Sequence, residues 1–439
     1  MDRPRACLAA LVVALLLAPL TLAAAPAKDA APTAVTPQAG RLKDGSNLLV
    51  LRIPGAKETS LRWIVGAGAL RDPEGRAGLA HMVEHLIFHG SYDTRGPALH
   101  HAVREAGGSY NAYTMVEATM FVLDAPRAAF HALAGRYLRT VTNPALNLAS
   151  LETERGVVQT ESEMRPSEYS LRSQIDLMLF PGLGQSTTVI GSTMSRTAIT
   201  RTDVVDYFGK HYTPSNTWAV FAGDVDFDEA SRLVEENSCL PPEPALAPAP
   251  LPTAQPRLPI DVKARSLLTV VVFGYTVEGA SPLECRTVAA VLERRLKNEL
   301  IVKDPLVSAI EVDCPRYRGV QVLQAIGFST SVGLEVSRVP EIIESQFASL
   351  AKTPPTREEL QSASRHREVM RALLGQSPAQ LAEAAAMEII QGERDPQRML
   401  ARVNSSGSAS TAACRALAEG HFKEENKISI QFSPYHGDY

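Results

Sequence analysis

Residues 241–259 hold eight prolines in nineteen positions. Proline fixes φ and has no backbone N–H, so such a run enters neither a helix interior nor a central strand. It makes a stiff, extended linker, and it divides the 439 residues into two parts of comparable length. A chain this long suits two or three domains. The elements expected before the run recur after it in the same order. Residues 47–53 and 60–65 read as strands around Pro54-Gly55. A glycine-punctuated loop over 66–78, a helix, a second helix over 98–106 and strands within 110–124 follow. Helices over 126–142, 148–164 and 202–212, a strand over 217–222 and a helix over 227–237 complete the first part. The second part opens with a strand over 267–275, a helix over 282–300 and a strand over 320–331. Helices over 339–350, 357–374, 378–390 and 409–419 and a strand over 428–432 follow. Identity between the parts is negligible, so the likeness lies in element order, as in a duplicated architecture.

The N-terminus stands apart. Arg3 and Arg5 precede an apolar run from Leu8 to Leu22, and Ala23-Ala24-Ala25 follow. Residues 1–25 therefore read as a secretory signal peptide. The run is too short and wrongly flanked for a membrane-spanning helix, so no stable membrane anchor is expected after cleavage, and export to a periplasm is. Residues 26–44 read as a flexible Ala/Pro leader. The net charge of −4, without basic runs, argues against nucleic acid as a partner, and a membrane-surface role lacks its lysine-rich face. Besides Cys7, the cysteines are Cys239, Cys285, Cys314 and Cys414. Four cysteines allow three pairings, and none forms the C-x-x-C spacing of a metal site. A core of this size needs no disulfide, so free thiols and one or two bridges both remain open.

The chemistry concentrates in Gly78-Leu-Ala-His-Met-Val-Glu-His-Leu-Ile-Phe-His-Gly90. Leu79, Val83, Leu86 and Ile87 recur at helical spacing. His81 and His85 are four apart and leave one face of that helix, which Glu84 shares. Two imidazoles a turn apart with a carboxylate between them suit a zinc ion and an activated water. The pattern H-x-x-E-H is the inverse of H-E-x-x-H. With ten histidines and 48 acids, chance gives roughly 0.02 such matches. The plain alternative is a polar helix with two ordinary histidines. His89 lies on the same face, but one helix does not easily wrap three ligands around a tetrahedral ion. A third ligand should come from another rigid element. The helix over 148–164 offers Glu152, Glu154, Glu161 and Glu163, with Glu154 and Glu161 seven apart on the side of Val157 and Val158. Taken alone, that helix fits glutamates flanking a valine seam in solvent better, since most glutamates are exposed.

These residues resemble the pitrilysin/insulinase family of zinc peptidases, and most closely its short branch that includes the processing-peptidase β subunit. The family's third ligand lies about 76 residues beyond the second histidine, which is Glu161 here, and its acid seven residues earlier is Glu154. The stretch Gly107-Gly-Ser-Tyr-Asn-Ala-Tyr-Thr-Met-Val-Glu-Ala-Thr-Met-Phe121 is similar to the family's G-x-x-x-N-A-x-T-x-x-E-x-T-x-Y, with Phe121 for tyrosine. Tyr212-Thr-Pro-Ser-Asn216 and Gly223-Asp224-Val225 match as well. The likeness spans residues about 45 to 435 and is stronger in the first part. It implies one Zn2+ per chain on His81, His85 and Glu161, with Glu84 as general base and Glu154 orienting a ligand histidine from behind. It implies an edge strand at Asn111, Ala112 and Thr114 to which an extended peptide substrate adds. The fold class is then α+β: two structurally similar halves, 45–240 and 260–439, each a mostly antiparallel sheet packed with helices, joined by the proline run and facing each other like a clamshell.

One departure stands out. Active members carry an arginine and a tyrosine, seven apart, that bind substrate and steady the oxyanion. On alignment of residues 293–308 these positions are Ile301 and Ser308. Arg316 and Tyr317 lie nearby, but neighbours in a strand point to opposite faces. A loss of this kind costs on the order of a hundredfold in rate. The expectation is an exported metallopeptidase completed by a homologous partner subunit in a heterodimer. The alternative is a metal-binding scaffold subunit without catalysis.

Overall fold

The computed structural model describes residues 35–92, 96–164, 189–240, 260–264, 268–317, 320–329, 334–374, 377–393, 395 and 407–434. The expected signal peptide and the proline run lie outside them.

The first half is a six-stranded sheet. Its strands are β1 (Thr36–Arg41), β2 (Asn47–Arg52), β3 (Glu58–Val65), β4 (Ser109–Thr114), β5 (Thr119–Pro126) and β6 (Thr217–Gly223), in the order β1-β2-β6-β3-β5-β4. The β2–β6 pair is parallel and the others antiparallel. Its helices are α1 (Leu79–Ile87), α2 (Gly96–Glu105), α3 (Arg127–Thr142), α4 (Leu148–Met164), α5 (Thr193–Ala198), α6 (Arg201–His211) and α7 (Phe227–Asn237). The second half contains β7 (Ile260–Ala264), β8 (Thr269–Thr276), α8 (Pro282–Lys297), β9 (Ala309–Asp313), β10 (Arg316–Tyr317) and β11 (Val320–Ser329). It continues with α9 (Leu334–Lys352), α10 (Arg357–Leu374), α11 (Pro378–Ile390), α12 (Thr411–His421) and β12 (Lys427–Pro434).

The expected duplication is present in the topology. The path β2-β6-β3-β5-β4 of the first sheet is matched strand for strand by β7-β12-β8-β11-β9 in the second. In each, the first and last strands pair in parallel and every other pair is antiparallel. β9 and β10 lie along the same edge of β11, in the place that β4 takes beside β5.

Two features correct the sequence reading. Residues 26–44 are not a flexible leader throughout, because Thr36–Arg41 forms β1 and pairs along the whole of β2. The strand buries no face, so it leaves no hydrophobic alternation to be read. The second correction concerns α11, which follows the linker in sequence but packs on the first sheet. Leu381, Ala382, Ala385, Ala386 and Ile389 close over Leu49, Leu51, Ile64, Met120 and Val220. The opposite face of that sheet carries the main first-half core, with Trp63, Phe121 and Phe221 under α1 and α3. Arg62 seals the α11 junction. Its buried guanidinium donates to Asp124 at 2.8 Å, to Glu383 of α11 at 2.9 Å and to the Ala379 carbonyl at 3.0 Å. A buried cation needs such partners.

Cys285 of α8 and Cys314 form a disulfide, while Cys239 and Cys414 are free. Among the described residues no helix is long and apolar enough to cross a membrane.

Candidate metal centre

The site begins with how α1 is started. Gly78 has φ +94°, a left-handed conformation that costs a side chain strain. No side chain in the helix caps it. Instead Asp72 reaches across from the preceding loop, accepting from the backbone N–H of Gly78 at 2.7 Å and of Ala80 at 2.8 Å. A carboxylate on the first-turn N–H groups satisfies donors the helix cannot. The segment Val189–Ile199 presses on the same end. Gly191 also has positive φ, and a Cβ there would sit 2.0 Å from the Ala77 carbonyl. Ser195 Oγ donates to that carbonyl at 2.8 Å.

The same segment braces α4. Arg155 donates to the carbonyls of Arg196, Thr197 and Ile199. Arg196 in turn donates to Gly191 O at 2.6 Å and to Gln159 Oε1 at 2.5 Å. Thus α1 and α4 meet through one clamped segment, and their facing side chains are held in register. On α4 the buried seam is Leu151, Glu154 and Val158, with Glu161 next along it, partly exposed. Val157, expected on that side, is exposed.

Three donor atoms converge where the helices meet. His81 Nε2 and His85 Nε2 lie 3.3 Å apart. Glu161 Oε2 is 3.7 Å from the first and 3.5 Å from the second. A tetrahedral zinc ion with ordinary Zn–N and Zn–O bonds separates its ligand atoms by ~3.3 Å. The triangle therefore fits such an ion, with a fourth corner left for a water. Among the described residues, no other three His, Cys, Asp or Glu side chains converge in this way.

The surroundings tune these groups. Behind His85, Nδ1 donates to Glu154 Oε2 at 2.6 Å, since a carboxylate only accepts. That turns Nε2 toward the triangle, where its lone pair serves a metal once the ring gives up its second proton. Burial, with the neighbouring His85, takes His81 down to about 4. Burial acts the same way on His85, but hydrogen bonding to Glu154 and Glu161 outweighs it and lifts that imidazole to about 9. Glu84 lies beside them with Oε2 accepting from Thr114 Oγ1 at 2.7 Å. Burial pushes its carboxyl above the ordinary range, against that bond and the charge of His85.

The structure brings together His81, Glu84, His85, Glu154 and Glu161. His89 is not a fourth ligand: its Nε2 contacts Glu154 Oε1 at 2.5 Å. Asn111, Ala112 and Thr114 all lie on β4, at the edge of the sheet beyond β5. Their side chains differ in setting. Asn111 is exposed, while Ala112 and Thr114 are buried, and the Thr114 hydroxyl is committed to Glu84. Ile301 sits in the turn Asn298–Lys303 against the second core. Ser308 donates from Oγ to the Phe328 carbonyl at 2.9 Å. Neither supplies a cationic or phenolic group. Sequence reasoning missed Asp72, Arg155, Arg196 and the link from Thr114 to Glu84. Asp72 alone had a local signal, an acid in a Pro-Glu-Gly turn just ahead of a helix.

Comparison with known proteins now decides the family. The family described as Insulinase (Peptidase family M16) matches residues 48–181, and the Peptidase M16 inactive domain matches residues 198–366. Together they cover more than half of the chain. The chain belongs to the insulinase family, peptidase family M16. Its insulinase-type portion contains every residue of the metal centre. An uncharacterized zinc protease of Mycobacterium leprae is 29% identical over 198 residues, 45% of this chain and 44% of its own length. The mitochondrial-processing peptidase subunit beta of Saccharomyces cerevisiae is 25% identical over 233 residues, 51% of this chain and 48% of its own length. The chain thus spans about half the length of the curated relatives it matches. A protease from Helicobacter pylori shares the fold at a TM-score of 0.79 and 19% identity, covering 91% of this chain and 100% of that one. Pitrilysin does so at 0.71 and 19%, covering 92% of this chain and 46% of that one.

Proposed function

We propose that this member of the insulinase family is a zinc metalloendopeptidase acting on peptides or unfolded segments. The observation that carries the reading is the triangle of His81, His85 and Glu161 with Glu84 fixed beside it. Zinc, when bound there, supplies the Lewis acidity that brings a water's pKa toward neutrality. Glu84 is placed to take the proton of the attacking water and return it to the leaving amine. Burial suits it to that exchange near neutral pH, because it binds a proton more readily than an exposed carboxylate does. Thr114 holds one carboxylate oxygen and so aims the other. Glu154 keeps His85 in the tautomer that presents Nε2. Among the described residues no strand pairs with the outer edge of β4, and that edge offers backbone groups to an extended peptide, which would lie against the same strand that positions the base.

With Ile301 and Ser308 at the clamp positions, the reaction lacks an oxyanion partner from those positions. The reading therefore includes a homologous subunit that supplies an arginine and a tyrosine. Two observations support export. One is the sequence of residues 1–25, and the other is the Cys285–Cys314 bridge, which suits an oxidising compartment such as the periplasm.

The test is Glu84→Gln in the full chain, with zinc content and cleavage of an unfolded peptide library measured with and without a co-purified partner. The variant should retain zinc and lose about 10²–10⁴ in rate. Cleavage unaffected by the substitution defeats the mechanism. Full activity of the isolated wild-type chain defeats the heterodimer.

A further inference from the structure

We infer that His89 is a positioning residue for the metal ligand His85, acting through Glu154. The inference rests on the zinc reading above and adds to it a residue outside the H-x-x-E-H pattern.

Glu154 has two carboxylate oxygens, and each is engaged by a different imidazole: Oε2 by His85 Nδ1 at 2.6 Å and Oε1 by His89 Nε2 at 2.5 Å. A carboxylate only accepts, so both nitrogens donate. With one such bond the carboxylate remains free to turn about its last torsion, a broad, soft rotation. With two, its plane is set, and the lone pair facing His85 is set with it.

His89 is itself anchored independently of the metal. It follows the last turn of α1, where its backbone N–H bonds to the Leu86 carbonyl. Gly90, at φ +127°, then turns the chain so that its carbonyl accepts from Ala145 and Ser91 bridges to Pro144, just ahead of α4. The loop leaving the first ligand helix is thus tied to the residues that lead into the second. The His89 side chain is 34% exposed while Glu154 is 10% exposed. An ordered path runs from solvent to the ligand: His89, Glu154, His85.

The experiment is zinc affinity by chelator competition on the full chain for wild type, His89→Ala, His89→Gln, Glu154→Gln and the His89→Ala/Glu154→Gln double variant, with apo-protein melting for each. Partners of metal ligands are worth about 10–100-fold in affinity, and His89 acts one step further out. His89→Ala should weaken zinc binding about 5–10-fold with an unchanged apo melting temperature. His89→Gln, which keeps an N–H donor, should recover affinity to within about twofold of wild type. In the Glu154→Gln background, His89→Ala should add less than about twofold, because coupled residues are not additive. Unchanged affinity in His89→Ala overturns the inference, and so does an undiminished effect in the Glu154→Gln background. A fall in affinity that tracks apo melting and is not rescued by glutamine also overturns it, in favour of a structural role. A wild-type chain that binds no zinc, or whose binding survives His81→Ala, overturns the zinc reading and this inference with it. Wild-type binding with His89→Ala unaffected leaves the zinc reading standing.

Discussion

Helices α6 and α12 end alike, one in each half. Each finishes on a histidine followed by an aromatic residue, His211-Tyr212 and His421-Phe422. Five residues beyond, Asn216 and Asn426 donate their side-chain amides back to the histidine carbonyls at 2.9 and 3.0 Å. A single turn of 3-10 helix then feeds the last strand of each sheet. Helices α1 and α8 also occupy matching places, yet they are built differently. Helix α8 caps itself, with Ser281 and Glu284 forming a capping box and Pro282 starting the first turn, and Cys285 ties it to Cys314. Helix α1 is nine residues long, begins at a left-handed glycine and depends on Asp72 from outside. The half that carries the metal centre gives up local stability to place two histidines and a glutamate. The half without it keeps the scaffold and spends its helix on stability. Duplication preserved the parts that close the fold, and among the described residues the candidate metal centre lies in one copy.

The largest way to break this contrast is to remove the bridge. Its sequence separation of 29 residues corresponds, in the chain-entropy view, to about 3–4 kcal/mol. Cys285→Ala with Cys314→Ala should lower urea stability by roughly that amount while zinc content stays at the wild-type level. Loss of zinc in step with stability would show that the halves do not divide these tasks. A smaller effect separates the two caps. Asp72→Ala should cost about 1–2 kcal/mol and also weaken zinc binding, whereas Ser281→Ala should cost about 1 kcal/mol and leave zinc untouched. Equal effects on the metal would erase the distinction.

The smallest effect is a slope. Burial, with the charges of Lys210 and Arg71, takes His211 down to about 4, below the 6.5 of a free imidazole. Between those values the unfolded chain binds a proton that the folded chain does not, so stability rises with pH across that window and is lost as pH falls through it. His211→Gln should flatten this part of the stability–pH curve, measured by melting from pH 4 to 8. An unchanged slope would remove His211 as its source.

Much of the centre was legible because it is local. His81, Glu84 and His85 share one helix face, and Glu154 and Glu161 share another, but the choice of Glu161 and Glu154 among the glutamates of their helix came from the family resemblance. The element order was legible because it too is local. What escaped reading depends on segments far apart in the chain. Thr114 meets Glu84 across 30 residues and His89 meets Glu154 across 65, and no periodicity reports such meetings. β1 escaped because a strand with both faces exposed has no apolar alternation. β9 escaped because Ala309–Asp313 is only five residues long, too short for its alternation of buried Ile310 and Val312 with exposed Glu311 and Asp313 to stand out. Pairing of the four cysteines awaited the placement of α8 beside β9.

Helix α11 has a consequence for where this molecule can be divided. By sequence it belongs after the linker, but it is the lid of the first sheet's second face. The proline run is therefore a seam in the chain and not a seam in the fold. Severing it would leave two polypeptides clasped together by Leu381, Ile389 and the Arg62–Glu383 pair. Ending the chain before residue 378 would instead uncover an apolar sheet face, and a fragment cut to contain only the metal centre would be left with that face open to water.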